Sequence, residues 1–213
     1  MPRIRVGILA SGRGTDFQSL VDARDRGDLD VDLAVLVCNV PDAPVLERAR
    51  MANVPGVTID HRAFGNDRTA FEKEIVKALR DRRVDLVVLA GFMRLVSEYF
   101  VSEFPWRIIN IHPSLLPSFP GTHAHREALA YGAKVSGCTI HFVDTSVDGG
   151  PILLQKAVPV REDDTEDSLA QRILEQEHVF LPLAVRLLAE GRVRIEGRRV
   201  RVDTHGLEMP STV

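Results

Sequence analysis

Asn110 and His112 stand two residues apart at the end of an apolar run, 107–111, and lead into the proline-bound segment 113–121. If that run is a strand, both side chains point to the same side. They then sit at its carboxyl end, where open α/β sheets bind their ligands. An asparagine amide can donate an N–H to a developing oxyanion, and a histidine exchanges a proton near neutral pH. The prolines exclude a helix after them and predict a loop of fixed shape. Asp148, on the loop Asp148-Gly149-Gly150 after a later strand, is the natural partner carboxylate. A carboxylate beside a histidine favours the imidazolium, which would stabilise negative charge. His112 alone would equally suit a hydrogen-bonded loop histidine. The three together are expected to converge in one cleft around a reacting carbon.

A second feature is Ala10-Ser11-Gly12-Arg13-Gly14-Thr15-Asp16-Phe17, between a strand and a helix. Small residues there let backbone N–H groups converge on an anion, with the helix dipole adding positive potential. A dinucleotide fingerprint would want glycine at Phe17 and an acid at the end of the second strand, where Cys38-Asn39 stands. Both requirements fail. What remains is a phosphate site without a dinucleotide, or a tight turn with no ligand. Glu177-His178 interrupts an apolar helical stripe and must find a ligand or a buried hydrogen-bonded partner. His112, His123, His125 and His141 could be imagined as zinc ligands, but positions 123 and 125 on a helix point about 200° apart, so no metal is expected. Ser114 lacks the glycines of a nucleophile elbow. The arginines 192, 194, 198, 199 and 201 form a basic stripe that suits a solvated strand face.

Strand-like runs at 4–10, 31–38, 57–59 and 84–90 alternate with helical patterns at 17–26, 45–52 and 69–82. Phe71, Ile75 and Leu79 mark one helical face, and the run 84–90 is apolar enough to be buried on both faces, as in a parallel sheet. Right-handed βαβ crossovers follow. Later come strands at 107–111, 136–143 and 152–160, a short helix at 123–130, a long helix at 165–188 with Pro182 inside it, and a hairpin over 192–202. The fold class is α/β: a doubly wound, mostly parallel sheet flanked by helices, with a long C-terminal helix and a small hairpin. One domain over 1–213 is expected, phosphate-binding to about 100, catalytic over about 101–190, with hairpin and tail at 191–213.

The balance of 27 Lys+Arg against 30 Asp+Glu gives a net charge of −3 over 213 residues, which disfavours a partner bound mainly by phosphate neutralisation. The apolar runs are too short to span a bilayer, and the N-terminus lacks the pattern of a secretory signal. Cys38 and Cys138 read as reduced core residues. A cytoplasmic protein is expected, binding neither membrane nor nucleic acid.

In these motifs the chain resembles the phosphoribosylglycinamide formyltransferase family. The shared residues are Ser-Gly-Arg-Gly at 11–14, Ala-Gly-Phe-Met-Arg at 90–94, Asn-Ile-His-Pro-Ser-Leu-Leu-Pro at 110–117, Phe-Pro-Gly-Thr-His-Ala-His at 119–125, Val-Asp-Gly-Gly at 147–150 and Gln-Glu-His at 176–178. The resemblance implies formyl transfer from 10-formyltetrahydrofolate, as co-substrate, to the amine of glycinamide ribonucleotide. It makes Asn110, His112 and Asp148 the catalytic trio. It assigns the ribonucleotide phosphate to Gly14, Thr15 and Asp16, its ribose to Glu177, and the folate to Arg68, Met93, Arg94, Leu95, Val96 and Asn110. The family usually has Asn in place of Asp16, so Asp16 is expected to cap the helix while backbone amides and Arg13 bind the phosphate. Other folate-dependent formyltransferases and formyltetrahydrofolate hydrolase share the chemistry, but the resemblance gives them extra domains for which 213 residues leave no room. A catalytically silent nucleotide- or folate-binding module is the remaining alternative. Dimers occur in the family. The segment 97–104 with Trp106 would suit either an interface or the core.

Overall fold

Runs of Val, Leu, Ile and Ala become strands with almost no exposed positions, because helices cover both faces of a parallel sheet. The computed structural model describes residues 3–207 and Pro210. The chain divides into two compact units, one ending at Asn110 and the other beginning at Ile111.

In the first unit β1 (Arg5–Ala10), β2 (Asp32–Cys38), β3 (Gly56–Thr58) and β4 (Leu86–Leu89) alternate with α1 (Thr15–Asp25), α2 (Pro44–Met51) and α3 (Arg68–Asp81). A short helix α4 (Glu98–Glu103) then leads to β5 (Ile108–His112), whose first three residues belong to this unit. The strands run parallel in the order β3-β2-β1-β4-β5. Phe71, Ile75 and Leu79 are buried along α3, as their spacing predicts, and Asp67 caps that helix through the Ala70 amide at 2.9 Å. A 3-10 turn at His61–Phe64 was not legible in the sequence; Asp60 caps it. Trp106 is exposed, whereas Phe100 and Phe104 are core residues.

The second unit takes the end of β5, then α5 (Ala124–Tyr131), β6 (Val135–Phe142), β7 (Ile152–Pro159), α6 (Glu166–Ala189) and the hairpin β8 (Val193–Glu196) and β9 (Arg199–Val202). β7 runs antiparallel to β6. Thr165 and Ser168 close a reciprocal cap on α6, which continues as one helix through Pro182. Ala128, Cys138, Val158, Leu169 and Ile173 pack into one core cluster drawn from α5, β6, β7 and α6. Arg201 and Arg192 pair with Glu196 and Glu190 at 2.6 Å each, so part of the basic stripe is neutralised locally. Both cysteines are buried.

The seven strands make the expected doubly wound, mostly parallel α/β sheet, with the long helix and small hairpin in their expected places. One local expectation is corrected. α1 begins at Thr15 with Gly14 at its N-cap, so Asp16 lies inside the first turn and not at the cap position. Among the described residues no helix is long and apolar enough to cross a membrane. The end of the tail, residues 208–209 and 211–213, lies outside the described residues.

Candidate active site

His112 ends β5, where a buried strand turns into the proline-rich loop, and only 4% of its surface is exposed. Its Nε2 donates to the Phe119 carbonyl oxygen at 2.9 Å, and its Nδ1 lies 3.5 Å from Asp148 Oδ2. The loop that supplies the carbonyl is itself pinned. Ser114, fully buried, donates from Oγ to the Ser118 carbonyl at 2.6 Å and reaches that of Phe119 at 3.2 Å. Thr139 on β6 donates to the Ser114 carbonyl at 2.6 Å and accepts from the Leu116 amide at 3.1 Å. Gln155 on β7 donates to the Leu116 carbonyl at 2.9 Å. A polar loop under buried strands must satisfy its backbone in this way, and the result is a histidine fixed through Nε2 with Nδ1 facing Asp148.

Asp148 sits at φ 49°, a left-handed conformation uncommon outside glycine. Its Oδ2 accepts from the Gly121 amide at 2.8 Å, so the carboxylate also ties the proline-rich loop to the Gly-rich one. Gly150 allows the tight return of that loop, since a Cβ there would stand 1.8 Å from the Phe142 carbonyl oxygen. On the other side, Asp148 Oδ1 lies 3.8 Å from Nε2 of His141, a residue considered from sequence only as a zinc ligand. Burial pushes the His141 imidazole below its ordinary pKa, against the Phe142 carbonyl and Asp148, which raise it. A titratable residue inside a strand as apolar as β6 was the one signal that could have singled it out. Among the described residues no group of three or more His, Cys, Asp or Glu side chains could hold a metal ion.

Asn110 precedes His112 by two residues on the same strand and closes the first unit. The remaining expected residues of that unit gather around two loops. Gly14 caps α1 at φ 71°, and a Cβ there would stand 2.3 Å from Val45 Cγ2, so only glycine fits. The carbonyls of Gly12 and Arg13 accept from Val45 N at 3.2 Å and Arg48 Nε at 2.8 Å. The amides of Thr15, Asp16 and Phe17 are first-turn donors with no intrahelical acceptor, and the N-cap residue Gly14 has no side chain to cap them. Asp16 is half-buried, and burial raises its carboxyl to about 6.

The second loop holds Met93 to Val96. Its Met93 amide donates to Ser11 Oγ at 2.9 Å, and Ser11 in turn donates to Asn39 Oδ1 at 2.6 Å. Ser11 therefore joins the turn after β1 to the loop after β4. Arg68 reaches the same loop, donating to the Leu95 carbonyl at 2.5 Å, and Arg94 lies 5.9 Å over the Phe71 ring. Met93 and Leu95 are left 67% and 63% exposed, an apolar display that a flat ring system could cover. In the second unit Glu177 is buried on α6, 7% exposed.

These features belong to a known class. Residues 4–185 match the formyl transferase family model, and the chain belongs to that family. Phosphoribosylglycinamide formyltransferase of Escherichia coli K12 is 39% identical over 200 residues, covering 94% of each chain. The solved structure of glycinamide ribonucleotide transformylase 1 from Symbiobacterium toebii superposes with a TM-score of 0.91 at 52% identity, again over 94% of each chain. The trifunctional purine biosynthetic protein adenosine-3 of Drosophila melanogaster is 46% identical over 195 residues, which are 91% of this chain but 14% of that protein. The chain thus spans a small part of the trifunctional relatives and nearly all of the bacterial ones.

Proposed function

We propose that the chain transfers the formyl group of 10-formyltetrahydrofolate to the amine of glycinamide ribonucleotide, giving formylglycinamide ribonucleotide and tetrahydrofolate for purine biosynthesis in the cytoplasm. The observation that carries this reading is the buried His112 held between the Phe119 carbonyl and Asp148, two residues after Asn110 on β5. The amine attacks the formyl carbon, and the carbonyl oxygen becomes a tetrahedral oxyanion. The Asn110 amide and an imidazolium at His112 stabilise that charge, each donor contributing about 3 kcal/mol by analogy with other oxyanion sites. Nδ1, whose 3.5 Å contact with Asp148 is long for a hydrogen bond, is the ring edge assigned to the reacting atoms. Collapse breaks the bond from carbon to the folate nitrogen. Asp148 takes the ammonium proton, directly or through a water, and that proton ends on the departing nitrogen. No electron acceptor or metal enters this balance.

In the same reading Gly14 and the amides of Thr15 and Asp16 receive the ribonucleotide phosphate, and Glu177 meets its ribose. Arg68 and the loop Met93, Arg94, Leu95 and Val96 hold the folate. First-turn amides at α1 and the exposed Met93 and Leu95 support those assignments. Residues 1–213 would then act as one formyltransferase domain. The test is turnover with both substrates, following formylglycinamide ribonucleotide and tetrahydrofolate together. Equal amounts of the two are expected. Tetrahydrofolate formed at the same rate without glycinamide ribonucleotide would make the protein a hydrolase, and no product with both ligands bound would make it a silent binding module.

A further inference from the structure

Glu72 is a charged residue on the packed side of α3, 2% exposed, and the reaction described above makes no use of it. Burying a carboxylate is costly unless hydrogen bonds replace its water. Here three do. Oε1 accepts from the Ser97 amide at 2.8 Å and from Arg68 Nε at 3.2 Å, and Oε2 accepts a short bond from the Ser97 hydroxyl. Ser97 also caps α4, its Oγ accepting from the Phe100 amide at 3.3 Å. The guanidinium that Glu72 aligns continues to the Leu95 carbonyl. One turn of α3 therefore grips the loop 93–97 at three places: Phe71 under Arg94, Arg68 on Leu95, and Glu72 on Ser97. At its other end the loop is held by Ser11 through the Met93 amide. Between these anchors Met93 and Leu95 face water. The loop's shape is thus imposed from outside, and Glu72 is the only buried charge among its anchors.

We infer that Glu72 is a positioning residue for folate recognition, fixing the backbone of 93–97 through Ser97 and Arg68 so that the loop presents its amides, carbonyls and exposed side chains in one geometry. It touches no reacting atom. The inference rests on the reading that this loop holds the folate. It predicts that Glu72 acts more on the folate than on the ribonucleotide, since Val45 and Arg48 hold the carbonyls of Gly12 and Arg13, and Ser11 links that turn to the opposite end of the loop from Glu72.

The experiment compares Glu72→Gln and Ser97→Ala with the unaltered protein in steady-state kinetics, in calorimetric binding of tetrahydrofolate, and in amide hydrogen exchange. Glu72→Gln keeps the side chain's shape and leaves no buried cation behind, because Arg68 is 42% exposed. For Glu72→Gln, KM for 10-formyltetrahydrofolate and Kd for tetrahydrofolate should rise about tenfold, with kcat and KM for glycinamide ribonucleotide within about twofold. Ser97→Ala, which keeps the amide bond to Glu72, should give a smaller rise of the same kind. Amides of 93–97 should exchange faster in both. A fall in kcat with both KM values moved alike, or unchanged tetrahydrofolate affinity, would overturn the inference and leave Glu72 as an ordinary structural residue. Failure of the unaltered protein to formylate glycinamide ribonucleotide while still binding tetrahydrofolate would sink the proposed reaction and leave this inference standing. Failure to bind tetrahydrofolate at all would sink both.

Discussion

The turn after β1 and the loops around His112 present two different ways of building a polar site. In the first, the main chain does the work. Gly14 sets the direction of α1, α2 engages the carbonyls of the turn, and α1 begins there with its first-turn amides. In the second, side chains do it. His112 and His141 are buried and Asp148 is half-buried beside them, and the loop that meets His112 is held by Ser114, Thr139 and Gln155. A backbone site should be sensitive to conformation and indifferent to most side-chain chemistry. A side-chain site should respond to a single atom exchanged in place. Substitutions that respect shape while altering chemistry, and the reverse, therefore separate the two.

The largest effect is expected at the side-chain site. His112→Ala and Asp148→Asn should each lower kcat by about 10²- to 10⁴-fold, the range seen when a general acid or base is lost. Thermal melting should move little for Asp148→Asn, which keeps its volume and can still accept from the Gly121 amide. Near-normal turnover by either variant would remove that residue from the reaction. Next comes Gly14→Ala, which alters conformation alone. At φ 71°, with Val45 Cγ2 2.3 Å from the new Cβ, the turn must shift. A loss of about 2–3 kcal/mol of stability is expected from strain and overpacking. KM for glycinamide ribonucleotide should rise and kcat should be largely kept. A lowered kcat with unchanged KM would mean that the turn at 11–16 serves the chemistry rather than the phosphate.

Much of this contrast was legible in the sequence, unequally between the two regions. β1, β2 and β4 announce themselves as apolar runs, and α3 by Phe71, Ile75 and Leu79. The approach of Asp148 to His112 follows from each standing at a strand end, because parallel sheets gather their carboxyl ends on one edge. Less visible were contacts that depend on a third element. Asp16 looked like a cap because its residue type favours that role, but Gly14 in the left-handed region starts the helix two residues before it. The tie from Glu72 to Ser97 joins residues 25 positions apart through loop geometry that no periodicity encodes. His141 hid among strand residues, and only the return of the loop 143–150 brings Asp148 beside it.

Asp16 offers a sharper test of the backbone site, with a smaller effect. Its carboxyl is raised by burial from 3.8 to about 6, so ionisation is more costly in the folded chain than in the unfolded one. The folded state pays nothing for it below pH 3.8 and loses stability as pH rises through about 6, with the full loss above that. The shift sets a ceiling of about 3 kcal/mol. Asp16→Asn is therefore expected to gain about 1–2 kcal/mol at pH 8 and almost nothing near pH 3, as read from urea unfolding at both values. The neutral amide should also tighten phosphate binding at pH 8, since a carboxylate in the first turn opposes an anion there. A gain equal at both pH values would show that the carboxyl is not the cause.

The smallest expected effect probes how far the side-chain site extends. Arg198, at the turn of the C-terminal hairpin, donates to the Gly149 carbonyl at 2.9 Å, one residue from Asp148. The arginine is exposed and the carbonyl can turn to water, so folding should change by less than about 0.5 kcal/mol in Arg198→Ala. Asp148, however, is held at φ 49° in a short loop, and its distance to His112 depends on that loop's path. Small displacements of a catalytic group cost rate more than stability. We expect kcat to fall about two- to fivefold with both KM values retained. The same substitution at Arg48, which holds the Arg13 carbonyl from α2, should instead raise KM for glycinamide ribonucleotide and spare kcat. Should both arginines move the same constant, the division between a site made of backbone and one made of side chains does not describe how this protein works.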